Sequence, residues 1–275
     1  MSIFIEANEI PKDEPYKLID TRFSLFDVNE GFAMYEAAHI EGAVYWDLNK
    51  DLSDMASNEG RHPMPSKEQL TTLFERSGLT LDDVIYIYDQ GGAPYASRAW
   101  FMLTYAGFKH VKIVNGGYGA MLDAGFAVSN EAPTIQPSIL HLQFNDLLIA
   151  TREQVRQVTV GEKNGVLLDA RSYERYIGKE EPIDSFAGHI PTAQNFNWEH
   201  LLRDGRFIRN DELFDRFEKD EAYIVYCGSG VTASPLFLTM YNEGYADIQL
   251  YVGSYSDWIT TYPVATGDEN LKKHD

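Results

Sequence analysis

The residue best suited to chemistry in this sequence is Cys227, its single cysteine. It ends an apolar run typical of a β-strand, and a glycine-rich loop and a helical pattern follow it. Such a loop directs successive backbone N–H groups inward, and a helix N-terminus adds positive potential, so an anion is stabilised there. These conditions favour a reactive thiolate over the alternative of a small buried apolar side chain. The loop residues are Gly228, Ser229, Gly230, Val231 and Thr232.

Several reactions of cysteine enzymes do not fit this loop. A cysteine phosphatase needs an arginine six positions after the nucleophile, and Ala233 stands there. A disulfide oxidoreductase needs a second cysteine. A Cys–His hydrolase needs a histidine base, and His189 belongs to a repeated pattern described below, which weakens that case. What remains is a nucleophile that accepts a small group and passes it on, and a terminal sulfur, held as a persulfide anion, fits.

The chain contains an internal repeat, in which an LxDxR strand is followed by a histidine. The histidine lies 19 residues after the aspartate of this motif in the first half and 20 residues after it in the second. A later apolar strand in each half leads into a glycine-rich loop and a helix. The paired segments are 18–22 with 167–171, 39–43 with 189–193, and 84–92 with 222–230. Short apolar strands that alternate with helical patterns indicate a parallel α/β architecture in each half.

The elements divide the chain into two domains of a common size. We predict one domain over residues 1–130, a proline-containing linker over 131–145, and a second domain over 146–275. The predicted helices that follow the two glycine-rich loops cover about 95–106 and 234–243, each ended by a glycine. Ser66 with Gln69 predicts a capping box, and Asn210 predicts another helix start. Each of these two signals sets one helix boundary.

Features that occur in both halves are interpreted as scaffold, and features of one half as candidates for chemistry. The repeated arginines, Arg22 and Arg171, are interpreted as structural ion-pair residues, and His39 and His189 as buried, hydrogen-bonded histidines. The halves differ at three places. Asp89 occupies the position in the first half that corresponds to Cys227, and Phe26 occupies the position that corresponds to Arg175. Pro94 removes a backbone N–H from the first glycine-rich loop.

Together these residues resemble the rhodanese superfamily, specifically its tandem-domain sulfurtransferases, in which only the second domain carries the cysteine. The loop 227–232, CGSGVT, is similar to the CG(S/T)GVT pattern of 3-mercaptopyruvate sulfurtransferases and lacks the charges of the thiosulfate-preferring CRKGVT pattern. Segments 175–178 and 188–191 are similar to the family's R-[FY]-x-G and GHIPG blocks. The resemblance implies two tandem rhodanese-like α/β domains, each a mainly parallel sheet flanked by helices, with a non-catalytic first domain.

The resemblance also implies a double displacement. Cys227 takes the outer sulfur of 3-mercaptopyruvate, pyruvate leaves, and the persulfide passes its sulfur to cyanide or to a thiol acceptor such as reduced thioredoxin. Arg175 and the loop residues Gly228, Ser229, Gly230, Val231 and Thr232 bind the substrate, and no metal or other cofactor is implied. Many family members carry a second arginine about nine residues after the first, but residues 181–184, EPID, contain none. Two alternatives stay open: a thiosulfate:cyanide sulfurtransferase, and a non-catalytic rhodanese-like binding module.

Composition excludes other classes of protein. The chain has 23 Lys and Arg against 42 Asp and Glu, a net charge of −19, so we expect no binding to nucleic acid or to anionic membranes. The N-terminal residues lack the basic and apolar regions of a signal peptide, and no apolar run reaches the length of a membrane helix. With a single cysteine, this predicts a cytoplasmic protein.

Overall fold

The computed structural model describes residues 2–268, which fall into two α/β units. The first unit comprises residues 2–54, 65–146 and 202–208, and the second comprises 55–64, 147–201 and 209–268. The main division therefore follows residue 146, and the predicted linker belongs to the first unit. Two short segments, 55–64 and 202–208, belong to the unit of the opposite half of the sequence, which the repeat alone does not predict.

The strands are short, as expected for parallel α/β units. In chain order they are β1 (Phe4–Glu6), β2 (Lys17–Asp20), β3 (His39–Ile40), β4 (Ala43–Tyr45), β5 (Ile85–Tyr88), β6 (Val111–Asn115), β7 (Val128–Ser129), β8 (Val166–Asp169), β9 (Gln194–Asn195), β10 (Leu202–Arg203), β11 (Arg206–Phe207), β12 (Tyr223–Tyr226) and β13 (Ile248–Leu250). The α-helices are α1 (Glu30–Ala37), α2 (Lys67–Arg76), α3 (Tyr95–Tyr105), α4 (Gly117–Asp123), α5 (Arg152–Thr159), α6 (Tyr173–Tyr176), α7 (Asp211–Arg216), α8 (Ala233–Asn242) and α9 (Ser254–Trp258). Short 3-10 turns lie at Ala7–Glu9, Asp146–Leu148 and Trp198–Leu201.

The main sheet of each unit is parallel. Its order is β1-β6-β5-β2-β4 in the first unit and β13-β12-β8-β9 in the second. The predicted repeat explains this correspondence, because β2, β4, β5 and β6 match β8, β9, β12 and β13. The prediction of two α/β domains, each with a mainly parallel sheet flanked by helices, is confirmed. Among the described residues, no helix has the length and apolar character to cross a bilayer.

Local sequence signals fix the helix boundaries. The Ser66 hydroxyl accepts from the Gln69 N–H at 3.1 Å, and the Gln69 side chain accepts from the Ser66 N–H at 2.7 Å, which is the predicted capping box. The Asn210 side chain accepts from the Glu212 N–H at the start of α7. Gly107 and Gly244 follow α3 and α8 with φ angles of 97° and 90°, the left-handed region that glycine adopts freely.

The repeated polar residues form the scaffold that the repeat predicts. Arg22 donates to Asp20 and to the Ala38 carbonyl in the first unit. In the second unit Arg171 donates to Asp169, and to the Gly188 carbonyl at 2.7 Å. These pairs are buried and tie the end of a central strand to the following loop. They have a structural role, as predicted, because each charge is matched within its own unit.

The repeated histidines are buried parts of the same scaffold. Each places Nδ1 beside a backbone carbonyl, at 2.8 Å for His39 with Tyr35 and 2.7 Å for His189 with Tyr176. Each imidazole also stacks on the ring of that tyrosine. Because both histidines make the same contacts in the two units, their interpretation as hydrogen-bonded core residues is confirmed.

Candidate active site

Cys227 directly follows β12, an inner strand of the second sheet, and its side chain is 1% exposed. The Gly230 N–H donates to the Cys227 Sγ at 3.1 Å. The backbone of Cys227 is also fixed, since its N–H donates to the Ser254 hydroxyl at 3.1 Å and its carbonyl accepts from the Tyr255 N–H. The sulfur therefore lies at the carboxyl end of a parallel strand, where open α/β sheets place their sites, with a backbone donor directed at it.

The backbone of the loop after Cys227 requires glycine at position 230. Gly230 has a φ of 76°, and a Cβ there would overlap the Val252 carbonyl. Val231 is buried at 2% exposure and anchors the far side of the loop. Thr232 is the N-cap residue of α8, but its side chain makes no capping hydrogen bond within the described part of the chain. The Thr232 hydroxyl therefore does not cap α8.

Ser254 is a site residue that the sequence gives no sign of. Its φ is 57°, a left-handed conformation that costs a non-glycine residue energy and occurs mostly where surrounding structure enforces it. Its hydroxyl donates to the Tyr251 carbonyl at 2.8 Å while accepting from the Cys227 N–H. Ser254 thus connects the strand end at residue 251 to the base of the cysteine loop.

Ser229 has a histidine partner from a distant part of the sequence. The His62 Nδ1 lies 2.9 Å from the Ser229 hydroxyl, and both residues belong to the second unit. Ser229 is 8% exposed and lies two residues after Cys227. A serine hydroxyl paired with imidazole can pass a proton, since the imidazole replaces the proton that the hydroxyl gives away. His62 was missed because 167 residues separate the two and no sequence pattern relates them.

Arg175 lies beside the loop but is held by two acids. Its Nε and Nη2 donate to the two carboxylate oxygens of Glu181 at 3.1 and 2.7 Å, and Nη2 also donates to Asp184 at 3.1 Å. Its Nη1 makes no hydrogen bond to a described residue. The two terminal nitrogens lie 3.5 and 3.6 Å from the position a Cβ would take on Gly228, so Arg175 faces the predicted substrate loop.

The acids at Arg175 respond differently to this environment. Burial works against the charge of Glu181, but the hydrogen bonds from Arg175 and from backbone N–H groups outweigh it, and the pKa of Glu181 is below its usual value. Burial raises the pKa of Asp184, although two arginines lie against it. Side-chain exposures of 3% and 4% explain why burial matters for both acids.

A second arginine, Arg61, also lies beside the loop. Its guanidinium forms an ion pair with Asp184, and its Nη2 lies 2.6 Å from the Cβ position of Gly228. Arg61 belongs to segment 55–64 of the second unit. The sequence could not reveal this residue because the family spacing points to position 184, which is an aspartate here.

The first unit lacks these groups at the corresponding strand end. Asp89 replaces the cysteine and accepts from the N–H groups of Gly91 at 2.8 Å and Ala96 at 3.2 Å. Burial raises the pKa of Asp89 to about 6, and the backbone hydrogen bonds oppose this shift. Phe26, at the position of Arg175, is fully exposed. Among the described residues, no group of three His, Cys, Asp or Glu side chains could hold a metal ion.

Comparison with known proteins places this geometry in a family. A family model of the rhodanese-like domain matches residues 5–124 and again residues 151–261. A Pseudomonas aeruginosa protein, provisionally named a 3-mercaptopyruvate sulfurtransferase, is 37% identical and aligns over 91% of this chain and 92% of its own length. SseB of Mycobacterium tuberculosis, provisionally named a thiosulfate sulfurtransferase, is 34% identical over 95% of this chain and 94% of its own length.

A solved structure is similar over the same extent. The crystal structure of SseA from Escherichia coli, described among 3-mercaptopyruvate sulfotransferases, is 28% identical, covers 93% of this chain and 100% of its own, and has a TM-score of 0.79. Both halves of the sequence match the family and only the second holds the cysteine. The chain therefore belongs to the rhodanese family, as a tandem-domain member most like the 3-mercaptopyruvate sulfurtransferases.

Proposed function

We propose that this chain transfers sulfur from 3-mercaptopyruvate through a persulfide on Cys227. The observation that carries the proposal is the arrangement at the cysteine loop: a backbone N–H on the sulfur, a hydroxyl–imidazole pair at Ser229, and a guanidinium at Arg175. The chain is an enzyme of the sulfurtransferase class. The alternative of a non-catalytic binding module is therefore set aside.

In the first half-reaction the Cys227 thiolate attacks the sulfur of the donor. An S–S bond forms, the C–S bond of the donor breaks, and its electron pair leaves on the pyruvate enolate. A proton is then needed to give pyruvate. Ser229 is placed to supply it, directly or through the enol oxygen, and the His62 imidazole replaces it. The Gly230 N–H stabilises the persulfide anion that remains on the enzyme.

Arg175 binds the carboxylate or the carbonyl of the donor through the nitrogen that its acids leave open. Glu181 and Asp184 occupy Nε and Nη2, so the guanidinium is held in one orientation with Nη1 toward the loop. A charge-assisted contact from a pre-oriented guanidinium is stronger than a neutral hydrogen bond. The loop residues Gly228 to Thr232 form the floor of this substrate site.

In the second half-reaction an acceptor attacks the outer sulfur of the persulfide and releases the Cys227 thiolate. Cyanide or a thiol protein such as reduced thioredoxin can do this, because each is a sulfur-seeking nucleophile. Cytoplasmic location stays a prediction from the sequence. Thiosulfate is the second candidate donor. Two arginines beside the loop favour a dianion more than the uncharged CGSGVT loop suggests, and several relatives bear the thiosulfate name.

Mass spectrometry of the intact protein tests the proposal. After treatment with 3-mercaptopyruvate and removal of excess donor, we expect a mass increase of one sulfur atom and an equivalent of released pyruvate. The added sulfur should disappear on addition of cyanide, with formation of thiocyanate. The Cys227→Ser variant should show neither change. Sulfur on the wild type after thiosulfate treatment only, or sulfur retained in the serine variant, would contradict the proposal.

A further inference from the structure

A cavity of about 330 Å³ lies in the first unit and includes no residue of the candidate active site. Two stretches of the chain line it. The first contributes Lys50, Asp51 and Ser53, and the second contributes Pro65 and the start and one face of α2. The residues of this second stretch recur mostly at intervals of three or four, as one helix face requires. They are Ser66, Glu68, Gln69, Thr72, Leu73 and Arg76. A cavity of this volume can hold a small metabolite.

Most of the polar groups in this cavity already have partners within the protein. Asp51 forms an ion pair with Arg76, and its other oxygen accepts from the Asp47 N–H at 2.8 Å. Ser66 and Gln69 hydrogen-bond to each other in the capping box described above. The charges of Asp51 and Arg76 therefore cancel, and these groups need no ligand.

One cation and one anion in the cavity are left without a partner. Lys50 and Glu68 are exposed, and neither charged group forms a hydrogen bond or an ion pair in the part of the chain that the structure describes. The Lys50 ammonium lies 5.9 Å from the centroid of the Phe32 ring, at the outer limit of a cation–π contact. Because Lys50 and Glu68 line one cavity without pairing, they suit a ligand that carries both signs of charge.

Ser53 adds a buried hydroxyl to the same cavity. Its residue is 5% exposed, and its Oγ has no hydrogen-bond partner among residues 2–268. A buried hydroxyl without a partner costs free energy, so its presence in the lining indicates a partner that the protein itself does not supply. Pro65 and Leu73 are also buried and give the cavity an apolar surface.

We infer that this cavity binds a small amino acid in its zwitterionic form, with a short apolar side chain. The Lys50 ammonium and the Ser53 hydroxyl bind its carboxylate, and the Glu68 carboxylate binds its ammonium. Pro65 and Leu73 contact its side chain. A simple carboxylate would lie beside the like charge of Glu68, and a simple amine would lie beside that of Lys50, so the zwitterion is preferred over both. The site does not depend on the proposed sulfur transfer.

Three matched compounds test the inference on the full chain by ligand-observed NMR and isothermal titration. L-valine carries both charges, isovalerate lacks its ammonium, and isobutylamine lacks its carboxylate. We expect the wild type to bind L-valine or the smaller L-alanine, and to bind each analogue about threefold or more weakly than L-valine, the effect of one exposed ion pair. Binding of neither amino acid, or binding of either analogue as tightly as L-valine, would overturn the inference.

Charge variants show whether binding occurs in this cavity. Glu68→Gln should weaken binding of L-valine about threefold or more but should not weaken that of isovalerate, which has no ammonium. Lys50→Gln should weaken binding of L-valine to a similar extent but should not weaken that of isobutylamine. Glu36→Gln is the matched control, because Glu36 is an exposed acid on α1 outside the cavity. Losses that do not follow the missing charge, or equal losses in the control, would contradict the site.

Ser53→Ala separates ligand binding from a structural role of the hydroxyl. It should weaken L-valine binding without lowering the thermal midpoint of the ligand-free protein, since the hydroxyl has no partner among the described residues. A lower midpoint with unchanged binding would assign the hydroxyl to a buried water and overturn the inference. Hydrogen exchange followed by mass spectrometry locates the ligand: L-valine should slow exchange in segments 47–53 and 65–76 of the wild type but not of the Lys50→Gln/Glu68→Gln double variant. Protection confined to other segments would also overturn it.

Discussion

Replacing Ser229 with alanine distinguishes proton transfer from simple positioning. Its hydroxyl lies 2.9 Å from the His62 Nδ1 and is the group best placed to protonate the departing enolate. Proton transfer by a positioned side chain contributes about a hundred- to ten-thousandfold to a rate. A neutral hydrogen bond that only orients the loop contributes about 0.5–1.5 kcal/mol, or roughly two- to twelvefold. The two roles therefore differ by an order of magnitude or more.

The chemistry of the leaving group supplies an internal control. Transfer from 3-mercaptopyruvate releases an enolate that needs a proton, whereas transfer from thiosulfate releases sulfite, a much weaker base. With Ser229→Ala we expect kcat/KM for 3-mercaptopyruvate to fall at least about a hundredfold, and that for thiosulfate to fall less than about tenfold. In a double displacement, kcat/KM for the donor reports the first half-reaction, so the acceptor step does not mask the effect.

Pyruvate release and thiocyanate formation measure the two donor reactions. Ser229→Thr serves as the conservative variant, because it keeps the hydroxyl, and it should retain most of the activity. His62→Ala should show the same dependence on donor as Ser229→Ala. Equal losses with both donors, or a loss below about tenfold with 3-mercaptopyruvate, would refute the proton-relay argument and leave Ser229 as a positioning residue.

Three further predictions concern the arginine and the first unit. Arg175→Ala should lower kcat/KM for 3-mercaptopyruvate about ten- to a hundredfold and also lower the thermal midpoint, because Glu181 is left buried without two of its donors; adding Glu181→Gln should recover the midpoint but not the activity, and recovery of both would contradict the role of Arg175. Asp89→Cys in a Cys227→Ser background should acquire no persulfide from 3-mercaptopyruvate, because Phe26 and Pro94 replace the arginine and a loop N–H; peptide mass spectrometry that finds sulfur on the new thiol would refute this. Burial raises the pKa of Asp89 to about 6 from 3.8, so its proton stabilises the fold fully at pH values below 3.8 and this contribution, about 3 kcal/mol, is lost as pH rises through 6. Hydrogen exchange of the β5 amides should therefore show the stability of Asp89→Asn rising relative to wild type from about pH 4 to about pH 6 and then staying level, and a constant difference across this range would contradict the assigned pKa.

The repeat, the strand ends and the helix caps were all predictable from the sequence. Cys227 at a strand end, Asp89 opposite it, and the caps at Ser66 and Asn210 depend on contacts within a few residues or on a pattern that occurs twice. The buried roles of the repeated arginines and histidines followed for the same reason. A feature shared by both halves must serve what the halves share, which is the fold.

The rest of the site was decided by tertiary structure. Arg61 and His62 lie more than 160 residues before Cys227 in the sequence, and segment 55–64 belongs to the second unit although it lies within the first half of the chain. In the sequence, Glu181 and Asp184 were noted only because the segment that contains them lacks the expected arginine, and nothing indicated that they would pair with Arg175. Local sequence determines which backbone hydrogen bonds form within a few residues. Which charged side chains meet at the site depends instead on which distant segments of the chain pack together. For that reason the sequence by itself determined the nucleophile and its loop, whereas the partners of that loop were set by long-range packing.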